Sequence, residues 1–236
     1  MTMLGVLGGM GPAATVDFLD KLVRATGAER DQDHVPVVVW NDPRVPDRTD
    51  ALCNGGPDPT AAMVTGANAL LAMGASALVA ICNTAHLFLP GVTRATGAHF
   101  LSMIDATVDE VGAMLPPGLP VGLVAGTATA TSDLYARPLA AAGHPLVLPH
   151  PADQAEVMAL IRAVKAGDVS TNTVDRLRRV VARLRAAGAG AVIAGCTELP
   201  IVFAKDPRPA LPVIDPTAAL ARLAARVFGP ARLAAA

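Results

Sequence analysis

Two segments of this chain are near-copies of one another, and both end in cysteine. The first runs Ala72-Met73-Gly74-Ala75-Ser76-Ala77-Leu78-Val79-Ala80-Ile81-Cys82-Asn83-Thr84. The second runs Ala186-Ala187-Gly188-Ala189-Gly190-Ala191-Val192-Ile193-Ala194-Gly195-Cys196-Thr197. In each, a Gly-Ala pair precedes a short apolar run, and the cysteine falls eight residues after the glycine. A buried strand repeated in this way constrains the chain to two equivalent lobes. Each lobe is expected to carry one thiol to a strand end, facing a shared cleft.

The repeat extends beyond the cysteines. Leu4-Gly5-Val6-Leu7-Gly8-Gly9-Met10-Gly11 matches Val121-Gly122-Leu123-Val124-Ala125-Gly126-Thr127-Ala128. Each is an apolar run entering a loop of small residues. A helix-like stretch follows each: Ala14 to Ala25, with Val16, Leu19, Leu22 and Val23 at helical spacing, and a second from near Ser132 to a capping Gly143. Second strands are expected at Val35 to Trp40 and at Pro145 to Leu148. Further helices, Pro59 to Met73 and Val174 to Ala187, then lead into the cysteine-bearing strands. Strand alternating with helix makes a parallel sheet. Aromatic residues are only 3% of the 52% hydrophobic chain. The core must therefore be Ala, Val and Leu, which suits buried parallel strands under alanine-rich helices. The expected fold is α/β: two pseudo-symmetric open parallel-sheet lobes with the active site between them.

Pro116-Pro117-Gly118 breaks the chain and places the N-terminal lobe at residues 1–115 and the C-terminal lobe at 118–210. The tail begins with strand-like Pro212-Val213-Ile214, and its helix, within 211–236, is expected to return to the first lobe. Four prolines mark a long loop around residues 41–59. Formal net charge is −1 over 236 residues, which argues against nucleic acid or an anionic membrane as partner. No apolar run spans a bilayer, and the N-terminus lacks a basic signal-peptide region. Three cysteines without framework spacing read as free thiols in a reducing, cytoplasmic setting.

Ligands of open parallel sheets bind beyond the carboxyl ends of the strands, where Cys82 and Cys196 fall. The turns that follow, Asn83-Thr84 and Thr197-Glu198, offer backbone N–H groups that favour a thiolate or hold a carboxylate. Two facing thiols suit a proton transfer in which one takes a proton from carbon and the other returns one to the opposite face. Either cysteine alone would read as a small buried residue; the matched pair reverses that preference. Cys53 has no counterpart and reads as an incidental loop residue. Cys82, His86 and Cys196 make a poor metal set, because the spacing is weak and a fourth ligand is lacking. Gly9-x-Gly11-x-x-Ala14 is a competing dinucleotide signal. However, the acids in range, Glu29 and Asp31, precede the second strand, and Pro12 removes an N–H donor.

Taken together, these residues resemble the cofactor-independent aspartate/glutamate racemase family. The matching segments are Gly8-Gly9-Met10-Gly11-Pro12-Ala13-Ala14-Thr15, Pro46-Asp47-Arg48-Thr49, Cys82-Asn83-Thr84-Ala85-His86, Gly195-Cys196-Thr197-Glu198-Leu199 and Leu211-Pro212-Val213-Ile214-Asp215. The resemblance implies a two-lobed α/β enzyme, a homodimer without cofactor or metal, that inverts Cα of a small acidic amino acid. It makes Cys82 and Cys196 the catalytic bases. It places Met10, Asn83, Thr84, Thr127 and Thr197 at the substrate, and Arg48 and Lys165 on the distal carboxylate. His86 and Glu198 are candidate supports for the two thiols. Where many members carry Thr-x-Gly-Thr, this chain has Gly126-Thr127-Ala128-Thr129, so Thr127 and Thr129 are the hydroxyls left to stand in. Related chemistry on the same thiols, maleate isomerisation or hydantoin racemisation, is the alternative reading.

Overall fold

A computed structural model describes residues 3–229. The chain divides into two compact units, one of residues up to Met103 together with those from Thr217 on, the other Ile104–Pro216. The first unit begins β1 (Leu4–Gly8), α1 (Pro12–Thr26), β2 (Val37–Asn41), α2 (Arg48–Cys53), α3 (Thr60–Ala72), β3 (Ala77–Ala80) and α4 (Leu89–Thr96). The second follows as α5 (Met103–Met114), β4 (Val121–Val124), α6 (Thr127–Thr131), α7 (Asp133–Ala141), β5 (Leu146–Val147), α8 (Pro151–Lys165), α9 (Thr171–Ala186), β6 (Ala191–Ala194), α10 (Leu199–Phe203) and β7 (Val213–Ile214). The chain then enters α11 (Pro216–Phe228).

Each unit is built on a parallel sheet with its first strand inside. The orders are β2-β1-β3 and β5-β4-β6-β7. Where the second sheet adds β7, the first makes a single parallel bridge, Leu78 to Phe100. Side chains alternate between faces, as strands require. In the first unit Leu4, Val6, Val79 and Ile81 meet Phe18 and Leu22 of α1 and Leu220, Ala221, Ala224 and Phe228 of α11. On the other face Leu7, Leu78 and Ala80 meet Met63, Ala67 and Leu70 of α3. The second unit repeats the scheme. Val121, Leu123, Ala191 and Ile193 pack on Val111, Tyr135 and Leu139; Val192 and Ala194 pack on Val157, Leu160, Val181 and Leu184.

The structure differs from the sequence reading in several places. The expected loop at 41–59 contains α2, because the Asp47 carboxylate accepts from the Thr49 and Asp50 N–H groups and caps a short helix. The helix expected from Ser132 is preceded by a separate one-turn helix, α6. Ser132 divides them by adopting an extended backbone and capping α7 through the Leu134 N–H. Pro116-Pro117-Gly118 ends α5 and does not mark the division between units, which falls at Met103 and Ile104. Residues 230–236 of the expected tail lie outside the described residues. Among those described, no helix is long and apolar enough to cross a membrane.

Candidate active site

The two cysteines occupy equivalent registers. Leu4 of β1 pairs with Ala77, and Cys82 lies five residues beyond. Val121 of β4 pairs with Ala191, and Cys196 again lies five residues beyond. The hydrogen bonds around them match as well. The Ile81 N–H donates to the Leu7 carbonyl at 3.1 Å, and the Gly195 N–H to the Val124 carbonyl at 2.8 Å. Both thiols follow the strand face shared by Leu78 and Ala80, or by Val192 and Ala194. Among the described residues no cysteine forms a disulfide, and Cys53 is exposed at the end of α2.

Cys82 is buried beside Leu7, Met10, Val45 and Ala85. A 3-10 turn, Thr84–Leu87, follows it. His86 bridges this turn to the end of the unit's first segment. The Met103 N–H donates to Nε2 at 3.2 Å, so Nδ1 carries the proton and donates to the Cys82 carbonyl at 2.9 Å. His86 therefore holds the backbone of Cys82. Asn83 and Thr84 are buried beside it.

The loop after β1 is folded tightly against its neighbours. Gly9 has φ +88°, and a Cβ there would lie 2.3 Å from the Asp42 carbonyl oxygen, so only glycine fits. Its N–H donates to Thr15 Oγ1 at 3.0 Å, which turns that amide away from any ligand. The dinucleotide reading loses a donor here. It also loses its acid, since the 3-10 turn Asp31–Asp33 precedes β2 at the amino edge.

Arg48 is buried at the start of α2. Its Nη1 donates to the Val45 and Pro46 carbonyls at 3.2 and 3.0 Å, and its Nη2 to the Met10 carbonyl at 3.3 Å. The guanidinium thus fastens the β1 loop to the loop before α2. Among the described residues its buried Nε has no partner, which leaves one edge of the fork uncommitted.

In the second unit Cys196 is half-buried, and its Sγ donates to Glu198 Oε2 at 2.9 Å. Glu198 is itself only 4% exposed. The Leu199 N–H closes the turn on the Cys196 carbonyl at 2.9 Å. Across the strand, Thr127 opens α6, and its N–H donates to Met158 Sδ at 3.3 Å. Gln154 Nε2 donates to the Ala125 carbonyl at 2.9 Å. α8 and α9 run antiparallel, joined by Arg183–Asp153 and Arg176–Glu156 ion pairs. Because α9 feeds the amino end of β6, the exposed Lys165 at the end of α8 lies toward the carboxyl edge, the edge that carries Cys196. Within the units, the structure brings Met10 to Arg48, His86 to Cys82, and Glu198 to Cys196.

The sequence matches the Asp/Glu/hydantoin racemase family over residues 7–224. The chain belongs to that family. The aspartate racemase of Picrophilus torridus is 33% identical and has a TM-score of 0.85, covering 97% of this chain and 94% of that one. The broad specificity amino-acid racemase RacX of Bacillus subtilis is 28% identical over 225 residues, 93% of this chain and 95% of the relative. The glutamate racemase of Francisella tularensis shares the fold, with a TM-score of 0.71 at 18% identity over 96% of this chain and 80% of that one.

Within this racemase fold, three contacts escape a sequence reading. Gln154 and Met158 reach the loop after β4 from a helix some 30 positions further along the chain, and nothing local marks them. Thr15 stands inside a quoted motif, but its hydrogen bond to Gly9 needs the folded turn. The substitution of Ala128 for the usual glycine places a methyl group in a buried position. Thr129, the further candidate hydroxyl, is fully buried.

Proposed function

We propose that this racemase inverts Cα of a small acidic amino acid, aspartate first, without a cofactor, and that Cys82 and Cys196 are its two acid–base groups. One thiolate takes the Cα proton as the Cα–H bond breaks and an S–H bond forms. The other thiol then delivers its proton to the opposite face of the planar carbanion, and the reverse reaction exchanges the roles. The observation that carries this reading is the equivalent register of the two cysteines at the carboxyl ends of β3 and β6. The 33% identity with an aspartate racemase supports the substrate. Among the described residues, the backbone N–H groups of Thr197 and Glu198 have no acceptor, which suits them to a substrate carboxylate where charge builds during proton removal.

The test is deuterium entry at Cα, followed by proton NMR in deuterated water with each enantiomer of aspartate, glutamate, asparagine and alanine, and with maleate. Aspartate or glutamate should exchange and racemise. C82S and C196S should each lower kcat by at least about a hundredfold, since positioned acid–base groups contribute about 10²–10⁴. Full racemisation by either single variant would overturn the two-base reading. A wider substrate range is the second reading. It is favoured by the three carbonyls that already occupy Arg48 and by the broad specificity of RacX. Comparable turnover of alanine and aspartate would establish it.

A further inference from the structure

We infer that Gln154 is a positioning residue for Cys196, the second unit's counterpart of Arg48, and that it acts by anchoring the loop after β4. This deepens the two-base reading above and rests on it for its catalytic meaning. Four observations carry it. Gln154 Nε2 donates to the Ala125 carbonyl at 2.9 Å; a carbonyl only accepts, so the amide must present its nitrogen there. Met158, one turn further along α8, accepts the Thr127 N–H on Sδ at 3.3 Å. One face of one helix therefore holds both ends of residues 125–127. Ala125 in turn lies against the residue before the thiol. A Cβ on Gly195 would come within 3.0 Å of the Ala125 Cβ, and the Gly195 N–H donates to the Val124 carbonyl at 2.8 Å. Contacts this close pass a shift of Ala125 through Gly195 to Cys196.

The fourth observation is the repeat. α2 and α8 each follow the edge strand beside the first strand of their unit, β2 and β5. Each sends one long side chain to a carbonyl of the loop after that first strand, Arg48 to Met10 and Gln154 to Ala125. Met10 packs beside Cys82, and Ala125 packs beside the residue that precedes Cys196. Each anchor also leaves one buried polar atom without a partner among the described residues, Nε of Arg48 and Oε1 of Gln154. A stranded polar atom costs stability, and a leucine would fill the same space without that cost. What the amide offers in return is a donor for the carbonyl of fully buried Ala125. The two units thus repeat the anchor by position and not by residue type, with a guanidinium behind one thiol and a neutral amide behind the other.

The test is alkylation of single thiols by iodoacetamide, which needs no turnover. Cys196 is followed in C53S/C82S and Cys82 in C53S/C196S, each with and without Q154L. Loss of the anchor should speed alkylation of half-buried Cys196 at least about threefold, because access governs thiol reactivity, and leave Cys82 unchanged. With all three cysteines in place, Q154L should lower kcat for aspartate at least about tenfold, since small misplacements of a reacting group can cost about a hundredfold. A thiol that gains reactivity while turnover falls is misplaced. Acceleration of both thiols alike, or of neither, overturns the inference, and so does an unchanged kcat in an active racemase. Q154E separates the donor from the packing. At about pH 8, far above its ordinary value of about 4.3, the carboxylate keeps the shape of the amide but cannot donate to Ala125. Q154E should therefore match Q154L, and wild-type behaviour of Q154E overturns the inference. A shift confined to Cys196 in a protein that racemises none of the amino acids would uphold the anchor and sink the functional reading.

Discussion

At the scale of single residues, the candidate site is a set of backbone anchors as much as a set of reacting groups. Arg48 shows this most clearly. Its motif pointed to a substrate carboxylate, but in the structure two of its nitrogens serve three carbonyls of its own loops. A guanidinium can hold three carbonyls because its donors are fixed in a planar fork, whereas a lysine ammonium cannot reach all of them. Arg48→Lys should therefore cost about 1–3 kcal/mol of stability, the usual penalty for stranded polar groups. Kinetics with aspartate and asparagine separate the two roles. If Arg48 only ties the loops, kcat/KM falls by a similar factor for both. If its free edge binds the distal carboxylate, the loss is confined to aspartate. The cysteines were legible from the sequence because a repeat doubled a weak signal. The partner of Cys196 was legible only as a neighbour, since a residue two positions along points back at the sulfur only once the turn is folded.

At the scale of elements, the sequence disclosed what periodicity can carry. The strands β1, β3, β4 and β6 are short apolar runs fully buried in the structure. The helices α1 and α9 bury apolar residues at helical spacing, and Gly27 ends the first while Ser170 caps the second. It did not disclose α2, whose six residues are held by one aspartate cap, nor α10, which is a single turn beyond Cys196. Short helices owe their existence to tertiary contacts that leave no period. The ion pairs that α9 makes, with α8 through Glu156 and with the segment after α10 through Asp206, carry a prediction about acid. Hydrogen bonds from Arg176 hold the Glu156 carboxyl below its ordinary value, and those from Arg178 do the same for Asp206. Their stabilisation is complete above the unfolded carboxyl values of about 4. It is lost as pH falls through the lower folded values. The double variant E156Q/D206N should be less stable than wild type at pH 7 in urea unfolding. The gap should narrow on acidification to pH 3. A gap that is constant with pH would mean that these pairs pack against α9 without stabilising the fold electrostatically.

At the scale of the whole chain, the arrangement is two similar sheets with one exchanged helix. Phe228, Leu220, Ala221 and Ala224 of α11 complete the core of the first unit against Phe18 and Leu22. Phe228→Ala should destabilise that unit by about 3–5 kcal/mol, the usual cost of emptying a buried aromatic site. Hydrogen exchange should show lost protection in β1, β2 and β3 first. Loss spread evenly over both sheets would mean that the units unfold together.

That exchange also sets an order of events during synthesis. The second unit is one uninterrupted stretch of about 110 residues, so it can close as soon as its own last strand is made. The first unit cannot. Its sheet is translated early but must wait for α11, and at about 5–20 residues per second the wait through Phe228 lasts roughly 6 to 25 s. Throughout that interval the apolar side chains that α11 covers, Phe18 and Leu22 among them, lie open to water. The half made first is the half finished last, and the nascent protein would meet chaperones there.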